Sequence, residues 1–277
     1  MTIARDIAAW ISASTTKKGP IERATQAESD AGTADKYVTP ATVRDGDPLR
    51  GALIEERIYT LNGTWTKPDN CRLVEVTCVG GGGGGAGATV STTPNWRMGG
   101  AGGGGGMCSA NIDADDLGAT AAVVVGSGGA GGTTTGSGGT GAASSFNGTT
   151  GTYVYATGGN AGIYTFSANF APSHGTGGQG VAGNYIGSSR LRTTGAKGGG
   201  GAVFGGAFSG SIGGGCPFSQ DVVESEMLAA TSGSKAGKSG AVDNYGSGGG
   251  GAIVKDSVTG ATGGAGRAGI VIVRSYG

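Results

Sequence analysis

Apolar and polar positions divide the chain into a few patterned segments separated by long stretches without pattern. Ile3, Ile7, Trp10 and Ile11 fall on one face of a helix over residues 2–13, with Arg5 and Asp6 off that face. A helix this short is marginal alone and needs a partner surface, either its own domain or a larger assembly. Between residues 21 and 50, Gly32 is placed as a helix C-cap and Thr39-Pro40 as an N-cap followed by a first-turn proline. Two short helices and a turn are expected there. From Leu73 onward the period changes to two: Val74, Val76 and Cys78 share one face, and Leu73, Glu75, Thr77 and Val79 the other. Short apolar runs recur further on, among them Ala122-Val123-Val124-Val125, Tyr153-Val154-Tyr155, Ile253-Val254 and Ile270-Val271-Ile272-Val273.

Between these runs lies glycine. It opens as an unbroken run at 80–85 and returns at 99–106, 126–132, 136–141, 195–201, 246–251 and 260–269, with 65 glycines in 277 residues. Such a composition reads first as flexible coil, because each glycine loses much backbone entropy on ordering and brings no side chain to bury. The apolar runs argue for packing instead. One way to order bare backbone is that of collagen: extended helices with three residues per turn lie close because no Cβ intervenes. A strict Gly-X-Y register is absent, so collagen itself is excluded. The other way is a β-sandwich whose end loops use glycine for positive φ and close approach. Both give a mainly β, compact domain with extended polyglycine segments, preceded by a small helical N-terminal segment.

Composition places a boundary near residue 57. Residues 1–57 hold only four glycines but 17 of the 38 charged side chains. The domains expected are therefore 1–57 and 58–277. Lysine plus arginine equals aspartate plus glutamate at 19 each, which leaves no electrostatic footprint for nucleic acid or an anionic membrane. No apolar run approaches a membrane span. Met1-Thr2-Ile3-Ala4-Arg5-Asp6 sets opposite charges before a broken apolar stretch, unlike a signal peptide, so synthesis in a cytoplasm is expected. Cys71, Cys78, Cys108 and Cys216 form no C-x-x-C pair and read as reduced thiols.

Chemistry-bearing motifs are weak. Gly233-Ser234-Lys235-Ala236-Gly237-Lys238-Ser239 approaches a phosphate-binding loop, but Ser232 stands where the first glycine belongs. Asp113-Ala114-Asp115-Asp116-Leu117-Gly118 resembles the start of a calcium loop, but Leu117 replaces a ligand and Val124 the bidentate glutamate. It reads as a solvated acidic turn. His174 has no triad or metal-ligand partner pattern. No catalytic residue, cofactor or metal site is expected. Aromatics, by contrast, fall between the glycine runs. Tyr153, Tyr155 and Phe204 alternate with neighbours as core residues do. Trp96, Arg97, Tyr164, Phe166, Phe170, His174, Tyr185, Arg190 and Arg192 are candidates for contact with a receptor, since aromatic, serine and glycine-rich loops suit recognition.

Two stretches resemble known proteins. Ala24-Thr25-Gln26-Ala27-Glu28, then Gly32-Thr33, then Lys36-Tyr37-Val38-Thr39-Pro40 resembles a segment recurring in tail-fibre proteins of tailed bacteriophages. Trp65-Thr66-Lys67-Pro68, the strand to Val79, the glycines, and the closing Gly263-Gly264-Ala265-Gly266-Arg267-Ala268-Gly269 with Ile270 to Arg274 are similar to the glycine-rich domain of such fibres. The alternation of glycine runs with insertions also looks like the glycine-rich adhesins of T-even-type phages. The resemblance implies a virion tail-fibre protein, made in the host cytoplasm, that binds a host surface receptor, an outer-membrane protein or a glycan. It implies partners among other tail-fibre or baseplate proteins and a homotrimer attached through Ile3, Ile7, Trp10 and Ile11. The competing expectations are a polysaccharide-degrading tail spike, with acid and base drawn from Asp113, Asp115, Asp116, Asp221, Glu224 and Glu226, and a purely structural fibre or baseplate component.

Overall fold

The computed structural model describes residues 52–148, 151–164, 212–216, 233–240 and 244–277, with short pieces at 22–23, 36–37, 180–182, 189–193, 203–204, 207–209 and 227–228. The chain divides into two units, one of 1–52 with 276–277 and one of Leu53–Ser275. Strand β1 (Leu53–Tyr59), the first of the glycine-rich unit, therefore starts upstream of residue 57. In the first unit the described pieces are two-residue strands, Glu22–Arg23 and Lys36–Tyr37, paired parallel. The small helical N-terminal segment finds no support. The helix expected over 2–13, with Ile3, Ile7, Trp10 and Ile11, lies outside the described residues. Where backbone is described between 21 and 50 it is extended, because tertiary pairing outweighs the weak preference of such short helices.

The larger unit continues with β2 (Gly63–Thr66), β3 (Leu73–Val79), β4 (Ser91–Met98), β5 (Met107–Asp113), β6 (Thr120–Val124), β7 (Ser144–Gly148), β8 (Gly151–Ala156), β9 (Gly180–Ala182), β10 (Ser189–Thr193), β11 (Gly233–Lys235), β12 (Ile253–Ser257) and β13 (Ile270–Tyr276). One five-stranded sheet has the order β10-β5-β3-β13-β1 and a second β9-β8-β7-β6-β2, while β11-β12-β4 form a smaller third. The two large sheets share one core. Val74, Val76 and Cys78 from β3 meet Ile112, Val271 and Val273 in their own sheet and Trp65, Val123, Phe146 and Val154 from the other. The period of two predicted for β3 is thus realised, with Val79 turned to a second cluster with Met107, Cys216, Ile270 and Ile272. Tyr155 departs from its expected core role. Its neighbours Val154 and Ala156 take the core face, leaving Tyr155 half-buried on the other.

The glycine runs continue these strands without a break in register. Val79 opposes Met107 in the ladder, and beyond it Gly80, Gly83 and Ala86 donate their N–H groups to the carbonyls of Gly106, Gly103 and Gly100 at 2.9, 2.8 and 2.7 Å. The pairing of β6 with β7 likewise runs on into Ala142 to Ser127 and Gly139 to Ala130, and that of β7 with β8 into Gly141 to Gly159. Only the spacing changes. A β-ladder bonds every second residue, whereas the glycine runs bond every third, as a threefold helix of the polyproline II type requires.

Run 80–88 is the axis of this bundle. Its N–H groups go in rotation to three antiparallel runs, from Gly80 to 100–106, from Gly81 to 136–142 and from Gly82 to 261–267. Its carbonyls accept in rotation from three parallel ones: Gly129 and Gly132, Gly159 and Gly162, and Gly249 and Ala252. Six helices therefore surround one. Neighbours in the ring also bond each other, as Gly103 does to Asn160 O and Gly266 to Gly129 O. Further runs, 213–215 and 237–240, lie against the outside through Gly214 to Gly102 O and Gly237 to Thr262 O.

This arrangement decides between the two uses of glycine. Among the described residues only Asn70 (φ 59°) and Gly246 (φ 73°) occupy the left-handed region, so turn geometry is not what the runs supply. Close approach is. A Cβ on Gly83 would stand 2.1 Å from Asn160 O, and one on Gly84 1.9 Å from Ala130 O. The interior has few side chains to bury, Ala86 and Ala101 contributing single methyl groups, and each hydrogen bond returns only about 1 kcal/mol net against about 1–2 kcal/mol of backbone entropy per residue. The bundle accordingly rests on apolar packing at both ends. The sandwich core stands at one end, and Ala88, Ala252, Val254 and Ala261 cluster at the other.

Candidate recognition surface

Among the described residues, the alternating direction of the runs sorts the connections between consecutive runs to one end or the other. The central run rises from β3, and the runs preceding β5, β7 and β13 descend into the same two sheets. The sandwich is therefore one end, where the unit is entered at Leu53 and left at Ser275. At about 3.1 Å per residue the central run carries the chain roughly 25 Å away from it.

Among the described residues, the opposite end gathers 89–98, the turn at 134–135, the chain leaving 163, and the hairpin from 253 to 261. Strands β4, β12 and β11 brace it, with Trp96 opposite Lys255, Arg97 opposite Val254, and Lys235 opposite Ile253. The third sheet is locked to the bundle by the same continuity of register: Met98 opposes Ile253, and Gly99 then donates to Ala252 O at 2.9 Å. Tyr164 is fixed by its N–H to Ser137 Oγ, 2.9 Å. Ser257 Oγ donates to Thr259 O and accepts from Thr259 N–H, at 3.2 and 3.1 Å, and so tightens the hairpin.

Of the residues singled out from sequence, Trp96, Arg97 and Tyr164 belong to this far end. Phe166, Phe170, His174 and Tyr185 lie outside the described residues. Arg190 and Arg192 do not join the others: they sit on β10, where Arg192 opposes Cys108 of β5, at the sandwich end. The acidic turn is also there. Ala114–Asp116 forms one 3₁₀ turn in which Asp113 caps the Asp115 N–H at 3.0 Å, while Lys67 Nζ donates to the carbonyls of Ala114 and Leu117 at 3.0 and 3.1 Å. Leu117 is buried in the core, which explains why a residue without ligand chemistry interrupts the acidic sequence. No group of three metal-ligating side chains occurs among the described residues. The near phosphate-loop is a strand, β11, running into the threefold run 237–240.

Sequence reasoning overlooked Val90 and Val258, exposed at the far end as Ile163 is, with Val258 almost wholly so. Their signal is positional: each follows or ends a rising run, and counting runs from the first would have placed them together.

No curated protein matches this chain. The profile of the family described as glycine-rich domain matches residues 59–276, which spans the whole of the bundle and both large sheets from the end of β1 to the end of β13. The chain therefore belongs to the glycine-rich domain family.

Proposed function

We propose that this protein is a phage tail-fibre adhesin that attaches the virion to a receptor on the host cell surface, a glycan or an outer-membrane protein, without catalysis. The observation that carries the reading is the sorting of connections. A unit entered and left through its sandwich presents a separate set of loops across a hydrogen-bonded bundle about 25 Å long. Recognition residues concentrate on loops held by rigid scaffolds, and a backbone lattice whose packed glycines leave no room for a Cβ is rigid whatever its loops become. In this reading residues 1–57 carry attachment to other fibre or baseplate components, and the far end meets the cell. Affinity per copy can be modest because linked copies raise the effective concentration.

The test is binding of fluorescently labelled full-length chain to a panel of whole bacteria. Saturable binding to particular strains, together with a block of phage adsorption to those strains, is expected. A folded chain that binds no cell in the panel, or that releases new reducing ends from capsule or O-antigen, would set the reading aside.

A further inference from the structure

Among the described residues, strand β1 forms one edge of the first sheet and pairs there with β13. It is unusually apolar for an edge: Leu53 is 54% exposed, Ile54 43% and Ile58 57%, and Leu61 just beyond it 78%. Natural edges are blunted by proline, bulges or charged side chains, lysine above all, and the three charges of β1 are instead engaged in pairs, Glu55 with Arg57 and Glu56 with Arg274. The β1 sequence, Leu-Ile-Glu-Glu-Arg-Ile-Tyr, has no proline and no lysine.

Its order is self-complementary. Turned end for end about Glu56, the strand sets Glu55 against Arg57, Ile54 against Ile58 and Leu53 against Tyr59. We propose that β1 pairs antiparallel with β1 of a second copy across a twofold axis at Glu56, joining two five-stranded sheets into one.

The side chains suit this pairing on both faces. Glu56 bonds Arg274 Nε at 2.5 Å, and Arg274 also reaches Glu75 at 3.7 Å, so Glu56 stands on the face away from the core. Ile54 and Ile58 share that face by the period of two, and in the pair the four isoleucines flank the two glutamates, each glutamate held by its own arginine. On the other face Arg57 already bonds Glu55 at 2.7 Å. The twofold axis would extend this pair into a four-membered network of alternating charge. Opposite-charge and apolar cross-strand pairs both stabilise a ladder, and reciprocal contact of one patch with itself is what a twofold interface demands. A seven-residue strand pair is small beside standard interfaces, so association in the micromolar range is expected.

Sedimentation of the full chain over roughly 1–100 μM tests the proposal. The wild-type chain should pass from monomer to dimer. Arg57→Glu sets glutamate against glutamate and Glu55→Arg sets arginine against arginine, so each alone should weaken dimerisation at least tenfold. An equimolar mixture of the two variants should dimerise again, as should the double exchange E55R/R57E. Both single variants lose the same bond within the chain, so recovery on mixing cannot come from folding. A wild-type chain that stays monomeric, a trimer, or single variants that fail to recover on mixing would overturn the proposal. Binding to cells is read separately, so either result leaves the adhesin reading to its own test.

Discussion

A Cβ placed on Gly85 would stand 2.1 Å from the carbonyl oxygen of Gly250, closer than any two such atoms can come. The same residue donates to Gly264 O at 2.8 Å and accepts from Gly132 N–H at 2.8 Å, so it cannot retreat from one neighbour without leaving another. Gly85→Ala is expected to cost at least about 3 kcal/mol, the upper range for overpacking, because the obstacle is backbone on every side. Gly136→Ala is the contrast: there the added methyl meets the rotatable Thr133 Oγ1 at 2.7 Å, and the change should stay within about 1 kcal/mol. Denaturant midpoints of the two variants check the difference.

The sandwich core supplies the apolar burial that the bundle lacks. Trp65 and Phe146 meet edge to face, with centroids 5.7 Å apart and an interplanar angle of 61°. Phe146→Ala should destabilise by about 3–5 kcal/mol. Since run 136–142 leads directly into β7, loss of near-ultraviolet aromatic signal and loss of protection in the glycine amides should occur in one transition. Two separated transitions would show that sandwich and bundle are not one cooperative unit.

The sandwich half of this fold was legible in sequence, and the bundle was only half so. The alternation of Val74, Val76 and Cys78 fixed the buried face of β3 because a side chain records which face it occupies. Glycine records nothing of the kind: the same run fits a turn, a coil or a threefold helix, and what selects the helix here is hydrogen bonding to partners up to 185 residues away, as Gly82 to Arg267. The far end suffered from the same silence. Trp96 and Arg97 stand out by their chemistry, whereas nothing in the neighbours of Val258 marks its exposure. Arg190 and Arg192 were grouped with them by composition, and the topology returns them to the sandwich.

Cysteine chemistry should follow burial. Cys78 and Cys108 oppose each other across β3 and β5 inside the core, Cys216 is buried, and Cys71 is half-exposed. Alkylation of the native chain should modify Cys71 and spare the other three, as mass spectrometry of the labelled peptides would show. Burial pushes the Cys78 thiol well above its ordinary range, and Cys108 adds to the shift. In the unfolded chain a thiol ionises near pH 8.5. The contribution of Cys78 is therefore complete below about that pH and declines as pH rises toward the folded value. Cys78→Ala should flatten the alkaline fall in stability while lowering stability at neutral pH.

Charges placed on the far end should separate recognition from folding. Val258 and Ile163 are exposed there, so V258D and I163D should change stability by no more than about 0.5 kcal/mol. Adsorption to a strain bound by the wild-type chain should nevertheless fall. Thr120→Asp, at an exposed position on β6 in the sandwich, should leave adsorption unchanged.

The glycine runs form a bundle of threefold helices, and amide hydrogen exchange of the full chain reads that bonding residue by residue. Peptides covering 80–88, whose N–H groups all point at neighbouring carbonyls, should exchange only through global unfolding, as slowly as β3 and β5. Glycine amides that exchange within minutes at neutral pH while the sandwich remains protected would return the runs to the status of loops.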